Sequence, residues 1–210
     1  MKLPGVFLAL LLPTARLLAQ GDATLTPPPS PAPATASTAS FTPLTLSQSY
    51  TYTLGQMFGP SALFRITAVA SRDQYDKDPD EWKSSTSGYA ERVASRFGLI
   101  VVRENVAFAV RALDHEDPRY LRSGKTGFWR RVGYAAGHTF AARNRQGDLM
   151  PAWSTFLGEY SAPFIAQQWR PDGIEPGREL RSGTLGIGLT VVQNLGAEFW
   201  PDVKKKMFRR

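Results

Sequence analysis

The 210-residue chain has no cysteine, two histidines and no uninterrupted apolar run of the roughly 20 residues that a membrane-spanning helix needs. The missing cysteine excludes disulfide scaffolds, thiolate metal sites, thiol catalysis and a cysteine-linked lipid anchor, and it suits an oxidising compartment. With only His115 and His138 available, little is left for a histidine zinc site. Acids are absent from the whole stretch between Pro118 and Gly147. What is present, 42% hydrophobic and 20% charged residues, is too apolar for wholesale disorder and too charged for a bundle made mostly of spanning helices. The length suits one domain with a sizeable core.

Residues 1–21 read as a secretory signal. Lys2 provides the positive start, Val6 to Leu12 the short apolar run, and Ala19-Gln20-Gly21 the small residues a signal peptidase accepts, with cleavage expected before Asp22. Residues 22–43 are built of Pro, Ala, Ser and Thr and hold 6 of the 16 prolines. Such a segment cannot bury enough apolar surface to offset its ordering entropy, so it is expected to be an extended tether.

Residues 44–210 are expected to form an all-α domain, a compact bundle of about five helices. Helical spacing recurs over Leu46–Arg72 (with Thr45 or Ser47 as cap and a kink at Gly59-Pro60), Ser87–Leu113, Gly127–Arg143, Ala152–Trp169 and Arg178–Trp200, the last stopped by Pro201. Four of these segments carry small residues four apart: Ala90/Ala94/Gly98, Gly133/Gly137/Ala141, Ser154/Gly158/Ala162/Ala166 and Ser182/Gly186/Thr190. Glycine costs a helix about 1 kcal/mol relative to alanine, so the repeats point to close helix-helix approach. Ser182 to Ala197 carries no charge, which makes the fifth helix the strongest candidate for bilayer contact; a buried central helix accounts for it equally well.

Basic residues cluster twice. Arg119, Arg122, Lys125, Arg130, Arg131, Arg143 and Arg145 surround Phe128 and Trp129, and the C-terminus carries Lys204, Lys205, Lys206, Arg209 and Arg210. Basic side chains beside aromatics suit an anionic lipid surface. The net charge of +7 falls to +5 once Lys2 and Arg16 leave with the signal, and residues 201–210 hold +4 of that. A nearly neutral body with a cationic tail and no recognisable binding motif argues against nucleic acid.

Catalytic and metal motifs fail on spacing. Gly124-Lys125-Thr126 ends like a phosphate loop, but Arg119 stands where its first glycine belongs; Asp76, Asp78 and Asp80 begin like a calcium loop that Glu81 and Ser87 do not complete; His115-Glu116 begins like a zinc-protease helix that Pro118 and Arg119 break. There is no Gly-x-Ser-x-Gly elbow, and no metal or cofactor is expected. The polar turn His115-Glu116-Asp117-Pro118-Arg119-Tyr120 is the one catalytic candidate, with His115 as base, Glu116 or Asp117 orienting it and Arg119 holding an anion. The same turn reads equally as a helix C-terminus with a sharp exit. His138 is expected to hydrogen-bond between packed helices, and Glu104, Glu159 and Glu198 to pair with arginines.

HEDPRY at 115–120, Arg122-Ser123-Gly124, Phe128-Trp129 and the ending Glu198-Phe199-Trp200-Pro201-Asp202 together resemble a family of uncharacterised exported bacterial proteins carrying HEDPRY and EFWPD motifs. The resemblance covers about Pro43 to the C-terminus and implies an exported, mostly helical domain, with no activity to carry over. The expectation is a non-enzymatic envelope protein, touching an anionic lipid surface or associating with its own kind through its helices. The alternatives are a soluble module for an anionic ligand and an enzyme using His115.

Overall fold

The computed structural model describes residues 42–208. The expected signal at 1–21, nearly all of the tether, and Arg209 and Arg210 lie outside the described residues.

The described chain is mostly helical. Helix α1 (Leu46–Phe58) starts at a capping box: Gln48 N–H donates to the Thr45 hydroxyl at 3.3 Å, and Thr45 N–H donates to Gln48 Oε1 at 2.9 Å. Gly59 leaves helical geometry and Pro60 opens α2 (Pro60–Asp76), so the expected kink separates two helices. After a 3-10 turn at Asp80–Trp82, Ser85 caps the 29-residue α3 (Thr86–Asp114). Helix α3 is the centre of the fold and packs against α1, α2 and α5. Its end is set by His115, which takes the left-handed conformation at φ 64°.

Helix α4 (Phe128–Gly137) is shorter than the spacing predicts. The residues expected to continue it form β2 (Ala141–Asn144), which pairs antiparallel with β1 (Glu116–Asp117) and with β3 (Leu149–Pro151). The mostly helical fold expected is present, with a small three-stranded sheet in the order β1-β2-β3 added to it. Strands of two to four residues are too short for alternation to register in the sequence. Helix α5 (Trp153–Ala166) follows, and α6 (Pro176–Met207) packs on α5 and α4. Pro201 does not stop α6, which continues for six residues to Met207.

The small-residue stripes prove to be of three kinds. On α5 the stripe is a packing face: Ser154, Gly158, Ala162 and Ala166 are buried, and a Cβ at Gly158 would stand 3.0 Å from the Arg103 carbonyl oxygen of α3. On α6, Gly186 makes room for a side chain, because a Cβ there would collide with the Glu159 carboxylate. On α4, Gly133 and Gly137 face open space, and on α3 Ala90 and Ala94 are exposed, so neither stripe packs helices together as expected.

The face that α3 buries carries Arg92, Arg103 and Glu104. Among the described residues the buried apolar side chains larger than alanine are Met57, Ile66, Pro79, Ile100, Pro163 and Ile187; the rest are alanines. Buried beside them are Asp73, Glu116, Asp117, Glu159, Glu179 and Glu198, while Leu63, Phe64, Trp129, Leu185, Val192 and Trp200 are exposed. Polar groups inside and large apolar groups outside reverse the usual distribution, and each half of the reversal locates a site.

Candidate functional site

The HEDPRY turn is a junction of hydrogen bonds. Glu116 reaches the start of α5, where its Oε2 accepts from the Ser154 backbone N–H at 3.1 Å and its Oε1 from the Ser154 hydroxyl at 2.6 Å. It thereby satisfies a donor that the first turn of α5 leaves open. Burial pushes the Glu116 carboxyl above its ordinary range, against the Ser154 hydrogen bonds and the nearby Arg111. Asp117 clamps Arg119 through both oxygens, at 3.0 Å to Nε and 2.7 Å to Nη2, and Arg119 Nη2 also donates to the Thr42 carbonyl at 2.7 Å. His115 is exposed at the helix end, whereas Glu116, Asp117 and Arg119 line a cavity. The structure thus brings together three of the four residues of the proposed acid-base site and leaves the would-be base outside.

That cavity, about 130 Å³, lies between α1, α3, the turn and the two long C-terminal helices. Its walls include Tyr52, Arg103, Glu104, Arg111, His138 and Glu159. Arg103 donates to Glu104 at 2.6 Å and to Glu159 at 3.0 Å, and Thr190 donates to Glu159 at 3.2 Å. The arginine pairing expected of Glu104 and Glu159 is therefore present, with one arginine serving both. His138 ends α4 rather than bridging helices, packs edge-on against Tyr120 and at a tilt against Tyr134, and has an Nε2 that is buried with no hydrogen-bond partner. Burial holds its imidazole below its ordinary value. Among the described residues no group of acids and histidines is arranged to hold a metal ion.

Glu198 forms a second hub, which joins the two motifs of the resemblance. Its carboxylate accepts from Tyr120 Oη at 2.8 Å, Ser123 N–H at 3.0 Å, Ser123 Oγ at 2.6 Å and Arg131 Nε at 2.8 Å. Burial pushes the carboxyl up, but the donors from Ser123, Arg131 and Tyr120 outweigh it and bring it to about 2. Arg131 also donates to the Glu198 carbonyl at 2.7 Å, within the turn that Pro201 deprives of a donor, and pairs with Asp202 at 2.6 Å. Tyr120 belongs to HEDPRY, and Glu198 and Asp202 to EFWPD; the motifs sit 78 residues apart in sequence and in contact in space.

Around this hub the predicted surface residues divide. Arg131 is committed inward, and Arg122 lies 3.7 Å from Asp202. Lys125 stands over the Tyr134 ring at 5.1 Å. Trp129, 79% exposed, Arg130, and Lys204, Lys205 and Lys206 face outward. Phe128 meets Phe199 at 5.3 Å between ring centroids, so the start of α4 and the end of α6 form one surface.

A feature that residue-by-residue reading misses runs along α6. Leu185, Leu189, Val192, Gly196, Trp200, Val203 and Met207 are all exposed. At 100° per residue they fall within an arc of about 80° and extend over about 33 Å. The buried residues Gly183, Ile187 and Glu198 lie on the opposite side of the helix. Their 4-3-4-4-3-4 spacing was available in the sequence, masked there by the uncharged stretch on all faces. No described helix is long and apolar enough to cross a membrane. No family model, curated protein or solved structure matches the chain.

Proposed function

We propose that the chain is a non-enzymatic envelope protein that lies on an anionic membrane surface, with the outward stripe of α6 and the start of α4 as the docking face. The observation that carries this reading is the exposed apolar stripe from Leu185 to Met207, continued by Phe128 and Trp129 and flanked by Arg130, Lys204, Lys205 and Lys206. A helix that exposes such a stripe beside cations is suited to lie in the plane of the interface, with the stripe in the acyl boundary and the cations at the headgroups. Export, read from residues 1–21, would deliver it there. The interior supports a structural role for the HEDPRY turn, because Glu116, Asp117 and Arg119 are already engaged with Ser154, with one another and with the backbone.

The test is flotation of the full-length chain with vesicles of phosphatidylcholine alone and with 30% (about the anionic fraction of a charged leaflet) phosphatidylglycerol. Binding is expected only with the anionic lipid and is weakened by salt. Each lysine near such a surface contributes about 1 kcal/mol, so replacing Lys204, Lys205 and Lys206 together with glutamine is expected to weaken binding about a hundredfold. A chain that ignores both vesicles and forms a concentration-dependent dimer would instead assign the stripe to a second copy.

A further inference from the structure

We infer that the cavity beneath the HEDPRY turn binds a small zwitterion, an α-amino acid or close analogue, with its ammonium toward Glu104 and His138 and its carboxylate toward Arg111. This goes beyond the membrane reading and does not depend on it. Glu104 Oε2 and His138 Nε2 are buried side-chain atoms with no hydrogen-bond partner, and both residues belong to the cavity wall. Buried polar atoms are nearly always satisfied, so two orphans around one void point to something that fills it.

The chemistry of the orphans selects the ligand. Glu104, 5% exposed, presents a carboxylate oxygen, which accepts. Burial holds the His138 imidazole below its ordinary value, and a neutral imidazole keeps one ring nitrogen free to accept, a role open to the unpartnered Nε2. Both therefore call for a donor such as an ammonium. Arg111 supplies the opposite end. Its Nε donates to Ser154 at 3.2 Å and its Nη1 reaches Thr53 at 3.4 Å, but its Nη2 stands 3.8 Å from Glu104 Oε2, beyond hydrogen-bond reach. The two form a long ion pair, and a group carrying both charges can lie alongside it, ammonium to Glu104 and carboxylate to Arg111.

Charge disfavours a lone anion. The wall holds Arg103, Arg111 and Arg119 against Glu104, Glu116, Asp117 and Glu159, one acid more than bases, so a lone anion would add to a negative surplus, whereas a zwitterion brings an ammonium for the acids and a carboxylate for Arg111. Size agrees as well, because a cavity of about 150 Å³ accommodates benzene, and glycine, alanine and serine are of that order. Gln193 is exposed and Arg119 partly so, which places them at the mouth.

Calorimetric titration of the full-length chain with glycine, L-alanine and L-serine, and with propionate, ethylamine and glycerol as partial mimics, tests this directly. Saturable binding of at least one zwitterion is expected, about tenfold or more tighter than any partial mimic, the difference one or two satisfied buried groups produce. A partial mimic that binds as tightly as its parent zwitterion, or no binding by any of the three amino acids, would overturn the assignment. In Glu104→Gln the preference over propionate is expected to disappear while the chain stays folded; an unchanged preference contradicts the orientation proposed. Should that variant unfold, the wild-type comparison decides alone.

Discussion

Arg92→Ala is expected to destabilise the fold by about 4 kcal/mol, more than any change on the surface. Arg92 is 1% exposed, and its guanidinium donates to the carbonyls of Asp78 at 3.0 Å, Pro79 at 2.7 Å and Lys83 at 2.9 Å, and to Gln74 Oε1 at 2.9 Å. Truncation leaves those acceptors without a donor and opens a void, and each hydrogen bond to a charged group is worth about 1.5–3 kcal/mol. The loop cannot close the gap by settling inward, because Gly88 already lies against the Trp82 carbonyl, where a Cβ would not fit. Arg92→Lys keeps the charge but not the planar fork, and is expected to recover less than half of the loss. Urea unfolding of the three chains measures this; a loss below about 1 kcal/mol for Arg92→Ala would show that the loop does not depend on the guanidinium.

Glu198→Ala is expected to cost about 3–5 kcal/mol, since it leaves the donors of Tyr120, Ser123 and Arg131 facing a missing acceptor. The acid limb of the stability curve carries a second signature. A carboxyl brought from 4.5 to about 2 in the folded chain contributes stability that is complete above about pH 4.5 and is lost as pH falls through about 2. Unfolding free energy should therefore fall between about pH 5 and pH 2, and Glu198→Gln, with no charge to protonate, should lack that component of the slope. Equal acid slopes in the two chains would mean that the hub does not hold the carboxylate charged. Because Tyr120 and Glu198 belong to different motifs, Tyr120→Phe should weaken the same hub by a smaller amount.

The helices were legible in the sequence because each long segment repeats over several turns and is bounded by Gly, Pro or a capping residue, as at Thr45 and Gly59-Pro60. The sheet was not, because β1 is only Glu116-Asp117 and its pairing with Arg143 and Asn144 is set by tertiary contact. The extension of α6 past Pro201 was hidden for a related reason: the Arg131 contacts that hold this end of the helix, to the Glu198 carbonyl and to Asp202, come from far away in sequence. The interior goes against the usual pattern. Arg92, Arg96, Arg103 and Arg111 fall within an arc of about 100° on α3, a pattern the sequence displays openly. Charges on one face normally mark the solvated side; here that face is the core, and Glu104, Glu159, Asp73 and backbone carbonyls receive it. The outward stripe of α6 is the complement of that inversion, and the same chain that puts arginines inside leaves leucines, Trp200 and Met207 outside.

Quenching of tryptophan fluorescence by brominated lipid tests the docking face most directly, because it reports which indoles enter the acyl region. Trp129 and Trp200 lie on the proposed face, Trp82 on the 3-10 turn, and Trp153 and Trp169 on or just beyond α5. With anionic vesicles of brominated lipid, the wild-type chain should lose emission, and the double variant Trp129→Phe, Trp200→Phe should bind with little further quenching. Persistent quenching in the double variant would place another face, at α5 or the 3-10 turn, at the membrane instead, and no quenching in the wild type would remove the membrane from the account.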